Sequence, residues 1–468
     1  MYDNMGVIHF VGIGGIGMSG IAEVLFDMGC KIQGSDVASS ATTDQLKALG
    51  IRVHIGHRAD YIEGCSVVVV SSAITNDNPE VLAARLHNVP VIKRAEMLAE
   101  LMRFHFGIAV SGTHGKTTTT SLIAAILTHA ELDPTFVIGG KVNSHGANAR
   151  LGGSQYLIAE ADESDASFLH LQPMMSVVTN IDADHLVAYS NRFDFLQNAF
   201  VDFVHNLPFY GIVIACNEDP IVRRVIPRLE RRCLTYGFDA DSDFVAENLR
   251  IEGMTSHFAL RLPDEDKTYQ FMLNLPGRHN VLNALAAIAV GIKLQVDMQV
   301  IADALAKFQG IGRRLQSYDM LQMTNGQVHL IDDYGHHPNE IKAVLNALSD
   351  MQRWQRKVLI FQPHRYTRTH ELFNDFCDVL GEVDELILLD VYAAGEAPIK
   401  GADSDTLSKA IRAHGQLIPV YVKDIEEVPE VLDAVVQDGD VVLTMGAGSI
   451  AKLPALLVSR FRTTNFPS

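Results

Sequence analysis

The chain has 468 residues, and at roughly 150 residues per domain this length predicts about three domains. Hydrophobic residues make up 47% and charged residues 20%, which excludes an intrinsically disordered or low-complexity chain. With 38 basic and 56 acidic residues the formal net charge is −18, which disfavours a general binder of nucleic acids or anionic membranes. Any phosphate-bearing ligand must therefore be held by a local binding site that overcomes the electrostatic repulsion of an acidic surface.

Cysteine usage and the lack of long apolar runs bear on the cellular compartment. The five cysteines are scattered, odd in number and without a Cys-x-x-Cys pair, which is typical of reduced thiols in a reducing cytoplasm. No basic stretch followed by an apolar stretch occurs at the N-terminus, so we expect no signal peptide. No apolar run approaches the roughly 18 residues of a transmembrane helix. We therefore expect a cytoplasmic protein.

The first segment opens with an apolar run at residues 7–11, a glycine turn and a helical pattern. The turn carries Gly12, Gly14 and Gly17 at the spacing Gly-x-Gly-x-x-Gly, and Asp36 ends the next predicted strand. This context is typical of a dinucleotide site, where the backbone approaches a pyrophosphate and the acidic residue binds a ribose. The residues alone favour NAD, but they leave FAD, a nucleotide sugar or a purely structural turn open.

The strongest local signal lies in the second segment, after an apolar strand at residues 108–110. Small residues at 112–115 let backbone N–H groups close around a phosphate, and the following helix adds its partial positive charge. Lys116 can reach the β- and γ-phosphates of a nucleotide, and the Thr117 hydroxyl suits Mg²⁺. The loop is shorter than the common P-loop, because Val110 stands where that loop begins with glycine. An ordinary glycine turn before a helix is the alternative.

Acidic residues follow two further predicted strands of this segment, at residues 156–159 and 176–179. Glu160 begins the acidic stretch after the first of them, and His185 ends the polar stretch after the second. Carboxylates at the carboxyl end of a strand can hold Mg²⁺ beside a phosphate, and a histidine there could complete a second metal site. A solvated acidic loop and a hydrogen-bonded loop histidine are the alternatives.

The second segment ends with a predicted strand at residues 211–216, short antiparallel strands within residues 230–275 and a helix near residues 280–293. Asn280 and Asn283 are three residues apart and therefore share one face of that helix. Their amides could meet the edge of an adenine or simply cap the helix.

The third segment alternates helices with strands predicted at residues 328–331, 357–361, 385–389, 418–422 and 440–444. Polar clusters follow four of these strands, which is more than a solvated surface requires, and open parallel sheets bind ligands at that edge. A zinc site at His336 and His337 is disfavoured, because no cysteine or spaced histidine set accompanies them. The alternation of strands and helices in all three segments predicts an α/β protein with mostly parallel sheets.

Taken together, these motifs resemble those of the Mur ligases of bacterial cell-wall synthesis, and the resemblance covers nearly the whole chain. The loop at residues 112–118, Glu160, His185 and the stretches at 277–284 and 333–336 match the family in order and spacing. The resemblance implies a Rossmann-like N-terminal UDP-sugar domain, a central P-loop-type ATPase domain with a mostly parallel sheet, and a Rossmann-like C-terminal amino-acid domain. The expected boundaries are 1–103, 104–311 and 312–468.

Three stretches, at residues 12–19, 160–165 and 389–399, are similar to the branch of the family that joins L-alanine to UDP-N-acetylmuramate. The resemblance assigns the glycine turn to the diphosphate of that sugar nucleotide rather than to NAD. Some other members bridge metals with a carbamylated lysine, but no lysine occurs here between Lys141 and Lys267. The alternatives are a ligase of wall recycling that joins a preformed peptide, and a nicotinamide-dependent oxidoreductase or NAD-sensing protein.

The resemblance also implies a set of site residues for each ligand. For ATP it implies Gly112, Thr113, His114, Gly115, Lys116, Thr117, Thr118, His279, Asn280, Asn283 and Arg314. For Mg²⁺ it implies Thr117, Glu160 and His185. For the UDP-sugar it implies Gly14, Gly15, Gly17, Asp36, His57, Ser71 and Arg94. For the amino acid it implies Tyr334, His336, His364, Arg365 and Arg368.

The implied chemistry converts the sugar's carboxylate into an acyl phosphate with ATP, after which the amine of L-alanine attacks it. Lys116 and Mg²⁺ would offset charge on the transferring phosphoryl group, with His185 at a second metal beside the carboxylate. His336 is a candidate base for the amine proton, and Arg365 or Arg368 would hold the alanine carboxylate. The expected partners are these small molecules, without nucleic acid or membrane, and the expected state is a monomer or weak homodimer.

Overall fold

The computed structural model describes residues 6–71, 73–142, 147–184, 186–263, 265, 267–415 and 417–461. The described chain builds three β-sheets flanked by helices. It divides into two compact units. The first unit comprises Met1–Arg250, His257–Asn274 and Asn280–Gln309, and the second comprises Ile251–Ser256, Leu275–His279 and Gly310–Ser468. The first two sheets lie in the first unit, apart from residues 251–256, and the third sheet lies in the second unit.

The first sheet has five parallel strands in the order β3-β2-β1-β4-β5. Its strands are β1 (Val7–Val11), β2 (Lys31–Asp36), β3 (Arg52–Ile55), β4 (Cys65–Val70) and β5 (Val91–Lys93). Its helices are α1 (Ile16–Asp27), α2 (Ala41–Ala48), α3 (Pro79–Leu86) and α4 (Arg94–Met102). The strand order reverses between β1 and β4, and open parallel sheets bind ligands at such a reversal.

The helix after β1 begins and ends as its sequence predicts. Gly15 precedes its first residue in an extended conformation, and Gly29 beyond its last turn has φ +88°, a conformation that glycine adopts without strain. The inner face of α1 buries Met18, Ile21 and Val24. This helix also contacts two strands of the second sheet, so the two sheets share one hydrophobic core.

The second sheet has ten strands in the order β15-β14-β13-β12-β11-β10-β6-β9-β7-β8. They are β6 (Phe106–Ser111), β7 (Thr135–Val142), β8 (Ala147–Arg150), β9 (Tyr156–Glu160), β10 (Met175–Val178), β11 (Ile212–Cys216), β12 (Arg232–Gly237), β13 (Phe244–Glu252), β14 (Thr255–Arg261) and β15 (Thr268–Leu273). Its helices are α5 (Lys116–His129), α6 (Phe193–His205), α7 (Pro220–Val225), α8 (Arg278–Lys293) and α9 (Met298–Ala306).

The expectation of only antiparallel strands within residues 230–275 is wrong for β12. The first five residues of that strand pair parallel with β11, and its last two residues pair parallel with the start of β13. The parallel part of the sheet therefore extends further than the alternating pattern predicts, because β12 packs beside β11 instead of forming a hairpin with β13.

The third sheet has six strands in the order β16-β17-β21-β18-β19-β20. They are β16 (Gln316–Met323), β17 (Gly326–Asp333), β18 (Lys357–Phe361), β19 (Glu385–Leu389), β20 (Val420–Val422) and β21 (Val441–Met445). Its helices are α10 (Pro338–Asp350), α11 (Tyr366–Glu371), α12 (Phe373–Leu380), α13 (Ser404–His414), α14 (Val428–Val435) and α15 (Leu453–Phe461). All strands run parallel except the edge strand β16, which pairs antiparallel with β17.

The third sheet is covered on both faces. One hydrophobic cluster packs α10, α12 and α13 against the sheet, and a second packs α14 and α15. The parallel strands consequently read as continuous apolar runs, as expected for strands buried on both sides. No helix among the described residues is long and apolar enough to span a membrane, and all five cysteines are free thiols.

Candidate active site

The phosphate loop joins β6 to α5 and contains two glycines that no other residue could replace without strain. Gly112 has φ +132° and Gly115 has φ +81°. A Cβ atom at residue 112 would overlap the Thr179 hydroxyl, and one at residue 115 would lie 2.6 Å from Asn283 Oδ1. The glycines thus let the backbone pass between neighbouring elements and place the N-terminus of α5 at the carboxyl edge of the sheet.

Asn180 anchors this loop from the end of β10. Its side chain accepts a hydrogen bond from His114 N at 2.7 Å and donates one to His114 O at 2.9 Å. Thr113 N donates to Asn180 O at 3.1 Å, and Asp182 N donates to the Thr113 hydroxyl at 2.9 Å. The loop is therefore preorganised by Asn180, which is not among the predicted site residues, together with the predicted residue Thr113.

Lys116 lies against its own loop and against a buried carboxylate. Its Nζ is 2.7 Å from Glu163 Oε2, 2.5 Å from Gly112 O and 3.1 Å from Thr113 O. Glu163 is only 1% exposed. Burial alone would lower the pKa of Lys116, but Glu163 and Asp162 outweigh it and raise that pKa, whereas burial raises the pKa of Glu163 itself. The Lys116 ammonium is therefore charged and held against the backbone of the phosphate loop.

Thr117 and Glu160, the two predicted Mg²⁺ ligands among the described residues, lie on adjacent elements. Thr117 lies in the first turn of α5, and Glu160 ends β9, where it pairs with Val110 of β6. Glu160 Oε1 accepts a hydrogen bond from Gly139 N at 2.7 Å, which fixes the carboxylate at the sheet edge. A hydroxyl and a carboxylate are the hard ligands that Mg²⁺ prefers, so these residues fit that ion. His185, the third predicted metal ligand, lies outside the described residues.

The two asparagines of α8 share one face, as their spacing predicts, and reach the phosphate loop. Asn283 Nδ2 is 3.4 Å from Asn280 Oδ1, and the Thr119 hydroxyl donates to Asn283 Oδ1 at 3.2 Å. The amide of Asn283 also lies directly beside Gly115. These contacts tie α8 to α5 across 164 residues of sequence.

The glycine turn after β1 is held by the end of β2. Gly12 N and Ile13 N donate to Ser35 O at 2.8 and 3.0 Å, and Gly14 N donates to Asp36 Oδ2 at 2.8 Å. A Cβ atom on Gly14 would lie 2.8 Å from that same oxygen. Asp36 therefore caps the turn, besides being a predicted ligand-binding residue.

Further predicted UDP-sugar residues gather around the same turn. A Cβ atom on Gly17 would lie 3.1 Å from the Arg94 side chain, and one on Gly12 would lie 3.3 Å from the Ser71 hydroxyl. Arg94 also pairs with Asp162, with Nη2 and Oδ2 3.6 Å apart. Burial would raise the pKa of Asp162, but the charge of Lys116, the hydrogen bond from Ser164 N and the charge of Arg94 together outweigh it and lower that pKa. Two predicted subsites are thus linked within one compact unit.

In the second unit the predicted amino-acid residues form an aromatic chain. Tyr334 meets His336 edge to face at 5.4 Å between ring centroids, and His336 lies 5.5 Å from His364. His364 stacks on Tyr392 at 5.5 Å with nearly parallel rings. These side chains come from the ends of β17, β18 and β19, as expected for a site at the carboxyl edge of the sheet.

The two candidate arginines differ in their surroundings. Arg365 is 46% exposed on its side chain, has φ +73° and places Nη1 3.6 Å from Glu396 Oε1. Arg368 is only 5% exposed, and its Nη1 lies 3.3 Å from His364 Nδ1. Arg365 is thus the accessible cation of the pair, and Arg368 supports the ring of His364.

His336 is neutral at physiological pH. Burial, together with the charges of Arg368 and His364, lowers its pKa to about 3 despite the nearby Glu340. Its Nδ1 lies 3.2 Å from Tyr334 O. Because a carbonyl only accepts, Nδ1 carries the proton and Nε2 carries the lone pair. Such a ring can accept a proton, but it is a weak base, since effective bases have a pKa near the working pH.

Buried titratable side chains lie around β17, next to the predicted amino-acid residues of the second unit. Asp333 accepts hydrogen bonds from Leu315 N at 2.8 Å and Gly335 N at 2.7 Å, and burial raises its pKa to about 6. The predicted ATP residue Arg314 lies 5.1 Å from the ring centroid of Tyr334. Burial and Arg314 lower the pKa of His279, another predicted ATP residue, to about 4.

Comparison with protein families decides the wider assignment. A model described as the Mur ligase middle domain matches residues 110–291, around the phosphate loop. Models described as the Mur ligase family catalytic domain and the Mur ligase glutamate ligase domain match residues 7–106 and 313–448. The chain belongs to the Mur ligase family. The three matches confirm both the family resemblance and the three-domain α/β fold. Mur ligases are ATP-dependent ligases of peptidoglycan precursors.

Solved structures of Mur ligases resemble this chain to different extents. UDP-N-acetylmuramate–alanine ligase from Thermotoga maritima superposes with a TM-score of 0.82 at 29% identity, covering 97% of this chain and 99% of that one. A UDP-N-acetylmuramate:L-alanyl-γ-D-glutamyl-meso-diaminopimelate ligase from Neisseria meningitidis also has 29% identity, with a TM-score of 0.61, and covers 66% of this chain and 100% of that one. A murein peptide ligase from Psychrobacter arcticus, at 22% identity and a TM-score of 0.72, covers 98% of this chain and 100% of that one and shows the fold alone.

Three polar residues that contact this Mur ligase's candidate sites were missed from sequence. Glu163 was one of several carboxylates in an acidic stretch, and Asn180 was one polar residue in a longer loop. Glu80 lies in the first turn of α3 and contacts His57, a predicted UDP-sugar residue. Only the strand order brings each of them to its partner. The signal that could have found Glu80 is an acidic residue directly after Asn78 and Pro79, which together form a helix start.

Proposed function

We propose that this Mur ligase is a UDP-N-acetylmuramate–L-alanine ligase that uses ATP and Mg²⁺. The observation that carries the proposal is the full-length similarity to the Thermotoga maritima UDP-N-acetylmuramate–alanine ligase, at a TM-score of 0.82. The functional domains we propose are residues 1–103 for the UDP-sugar, residues 104–311 for ATP and residues 312–468 for the amino acid.

The first half-reaction activates a poor electrophile. A carboxylate oxygen of UDP-N-acetylmuramate attacks the γ-phosphorus of ATP, the bond to ADP breaks, and an acyl phosphate forms. Lys116 leaves Glu163 for the phosphates and offsets the charge that develops there. Thr117 and Glu160 would hold Mg²⁺, which supplies further charge neutralisation at the phosphates.

The second half-reaction forms the amide bond. The neutral amine of L-alanine attacks the carbonyl carbon, phosphate leaves, and the nitrogen gives up a proton. We assign the exposed guanidinium of Arg365 to the alanine carboxylate and the Nε2 lone pair of His336 to the proton. Because the pKa of His336 is about 3, this histidine orients the amine and relays its proton more effectively than it stores one.

A second candidate comes from the similarity to the Neisseria meningitidis ligase, which has 29% identity over 66% of this chain. That reaction would use the same sugar nucleotide and ATP but would join a preformed peptide. Both reactions form one amide bond, so the acceptor distinguishes them.

The deciding experiment measures phosphate release from ATP with UDP-N-acetylmuramate and a panel of acceptors. L-alanine should be the best substrate, and glycine should be weaker because a lost methyl contact is worth roughly 1 kcal/mol. UDP-N-acetylglucosamine is the matched control, because it lacks the sugar carboxylate that ATP phosphorylates, and it should give no phosphate release. Activity with a tripeptide but not with L-alanine would establish the second candidate and disprove the first.

A further inference from the structure

Glu80 is a buried carboxylate that contacts β1 and β2 of the first sheet. It lies in the first turn of α3, where Asn78 caps the helix and Pro79 begins it. The side chain is 0% exposed. A buried carboxylate is tolerated only when its oxygens are well hydrogen-bonded, so its partners reveal what it does.

One oxygen of Glu80 is fully engaged by the core of the sheet. Oε2 lies 2.6 Å from His9 Nε2 and accepts a hydrogen bond from the Ser35 hydroxyl at 2.7 Å. The Gln33 amide nitrogen donates to Tyr61 O at 2.7 Å and lies 3.2 Å from His9 Nδ1. Because a carboxylate oxygen only accepts, the His9 proton lies on Nε2 and is directed at Glu80, which leaves Nδ1 as an acceptor for the Gln33 amide.

The other oxygen of Glu80 faces His57. Oε1 lies 2.8 Å from His57 Nδ1 and 3.3 Å from Arg58 N. His57 Nδ1 is also 3.2 Å from the Ser35 oxygen, whose own proton points to Glu80. Both neighbours of Nδ1 are acceptors, so Nδ1 carries a proton and the neutral ring keeps its lone pair on Nε2.

His57 stands at the edge where the sugar nucleotide is proposed to bind. It follows β3 and Gly56, whose N–H donates to Asp36 O at 2.8 Å. Ser35, which contacts Glu80 and His57 with its hydroxyl, accepts the first two N–H groups of the glycine turn with its carbonyl. The position of His57 beside Glu80 and the position of the glycine turn thus both depend on the same two residues at the end of β2, Ser35 and Asp36.

We infer that Glu80 is a positioning residue that fixes the tautomer of His57, so that Nε2 accepts a hydrogen bond from an N–H or O–H donor of the uridine half of the sugar nucleotide. This inference rests on the proposed function for its ligand, but the tautomer itself is a property of the free protein. Glu80 acts through His57 and does not touch the ligand.

The first test measures the tautomer in the full-length enzyme without ligand. Nitrogen-15 histidine spectra above about pH 8, where an ordinary histidine is neutral, should show the His57 proton on Nδ1. The His57→Ala variant assigns the signal by its loss. In Glu80→Gln the proton should redistribute toward Nε2, because one carboxylate oxygen is replaced by an amide donor. A wild-type ring protonated on Nε2 overturns the inference even if the variant does not fold.

The second test measures binding of UDP-N-acetylmuramate by calorimetry. Glu80→Gln should weaken binding about tenfold, the size expected for loss of one charge-assisted hydrogen bond, and leave the KM for ATP within about twofold. His9→Gln is the matched control, because it disturbs the same buried carboxylate but spares the contact with His57; its affinity should stay near wild type. Equal weakening in both variants would mean a purely structural role and overturn the inference.

A double-mutant cycle separates action through His57 from action elsewhere. In the His57→Ala background, Glu80→Gln should weaken binding by less than about twofold. The full tenfold loss in that background overturns the inference. If the wild-type enzyme binds no UDP-N-acetylmuramate at all, the proposed function fails, and the tautomer measurement still decides the role of Glu80.

Discussion

The turn between β1 and α1 and the loop between β6 and α5 have the same type of backbone connection but differ in the polar side chains that contact it. Each is a glycine-rich connection from a buried parallel strand to a helix N-terminus. The first has an acidic cap, since Asp36 accepts the N–H of Gly14. The second carries a lysine as the first residue of its helix, held by the buried carboxylate of Glu163.

The two connections differ in charge and in the backbone conformation of the residue that precedes the helix. Gly15 precedes α1 with φ −64°, whereas Gly115 precedes α5 with φ +81°. A glycine spacing therefore indicates only that backbone can approach a phosphate closely. Under the proposed function, the residues packed beneath each connection would decide whether it stabilises a transferring phosphoryl group or only holds a diphosphate.

The largest expected effect comes from removing the cation that distinguishes the two connections. Lys116→Ala should reduce kcat on the order of 10³-fold, since the ammonium offsets charge in the transition state. Phosphate release at saturating substrates measures it, and Lys47→Ala, which removes an exposed helix lysine, should match wild type. Turnover of the Lys116 variant within tenfold of wild type would contradict the assignment.

The matched pair Gly115→Ala and Gly15→Ala tests the strain directly. Alanine at 115 must adopt a left-handed conformation and meets Asn283, so the free energy of unfolding should fall by about 2 kcal/mol. Alanine at 15 meets nothing closer than 3.5 Å and should change stability by less than about 0.5 kcal/mol. Urea unfolding monitored by circular dichroism provides both values, and equal losses would remove the distinction between the two connections.

Metal dependence should belong to the site at the phosphate loop, where Glu160 ends the neighbouring strand β9, and not to the glycine turn after β1. Glu160→Gln keeps the shape of the side chain but removes the negative charge that binds a hard cation, so the Mg²⁺ concentration for half activity should rise about tenfold. Asp36→Asn, the corresponding change beside the other turn, should leave this concentration unchanged. An unaltered Mg²⁺ requirement in the Glu160 variant would show that this carboxylate is not a ligand.

The smallest effect is expected at the acidic cap of the first turn. Asp36→Asn weakens a charge-assisted hydrogen bond to Gly14 N, so the KM for UDP-N-acetylmuramate should rise about fivefold, equivalent to roughly 1 kcal/mol. The KM for ATP should not change. Initial rates over both substrates separate these outcomes, and a rise in the KM for ATP alone would mean that the turn serves the nucleotide instead.

Sequence patterns predicted those strands and loops whose own residues determine the local structure. Apolar runs located the central strands, and glycines with Lys116 located the phosphate loop, because local backbone geometry depends on those residues. The strands β3, β5, β7, β8 and β16 were not predicted. Of these, β3, β5 and β16 are short or alternating edge strands that bury only part of their side chains. The parallel pairing of β12 depends on β11, which lies outside any local window.

Long-range polar contacts were the least predictable part of the site. Glu80 reaches His9 across 71 residues and His57 across 23. Asn180 reaches the phosphate loop across 66 residues. Such pairs follow from which strands become neighbours, and a single sequence does not state the strand order. The family resemblance did name Tyr334, His336 and His364 as a group, and their rings lie together. Each stands within three residues of the end of a strand, and parallel strands end at one edge of a sheet.

The contact between Lys116 and Glu163 has a consequence for turnover. In the proposed reaction, phosphate and ADP would leave a loop whose lysine ammonium lies 2.7 Å from the carboxylate of Glu163. Their departure would then exchange one anionic partner of Lys116 for another, so the ammonium would not be left without a counter-charge. In a chain with a net charge of −18, this competing carboxylate would favour release of the anionic products and keep Lys116 charged for the next nucleotide.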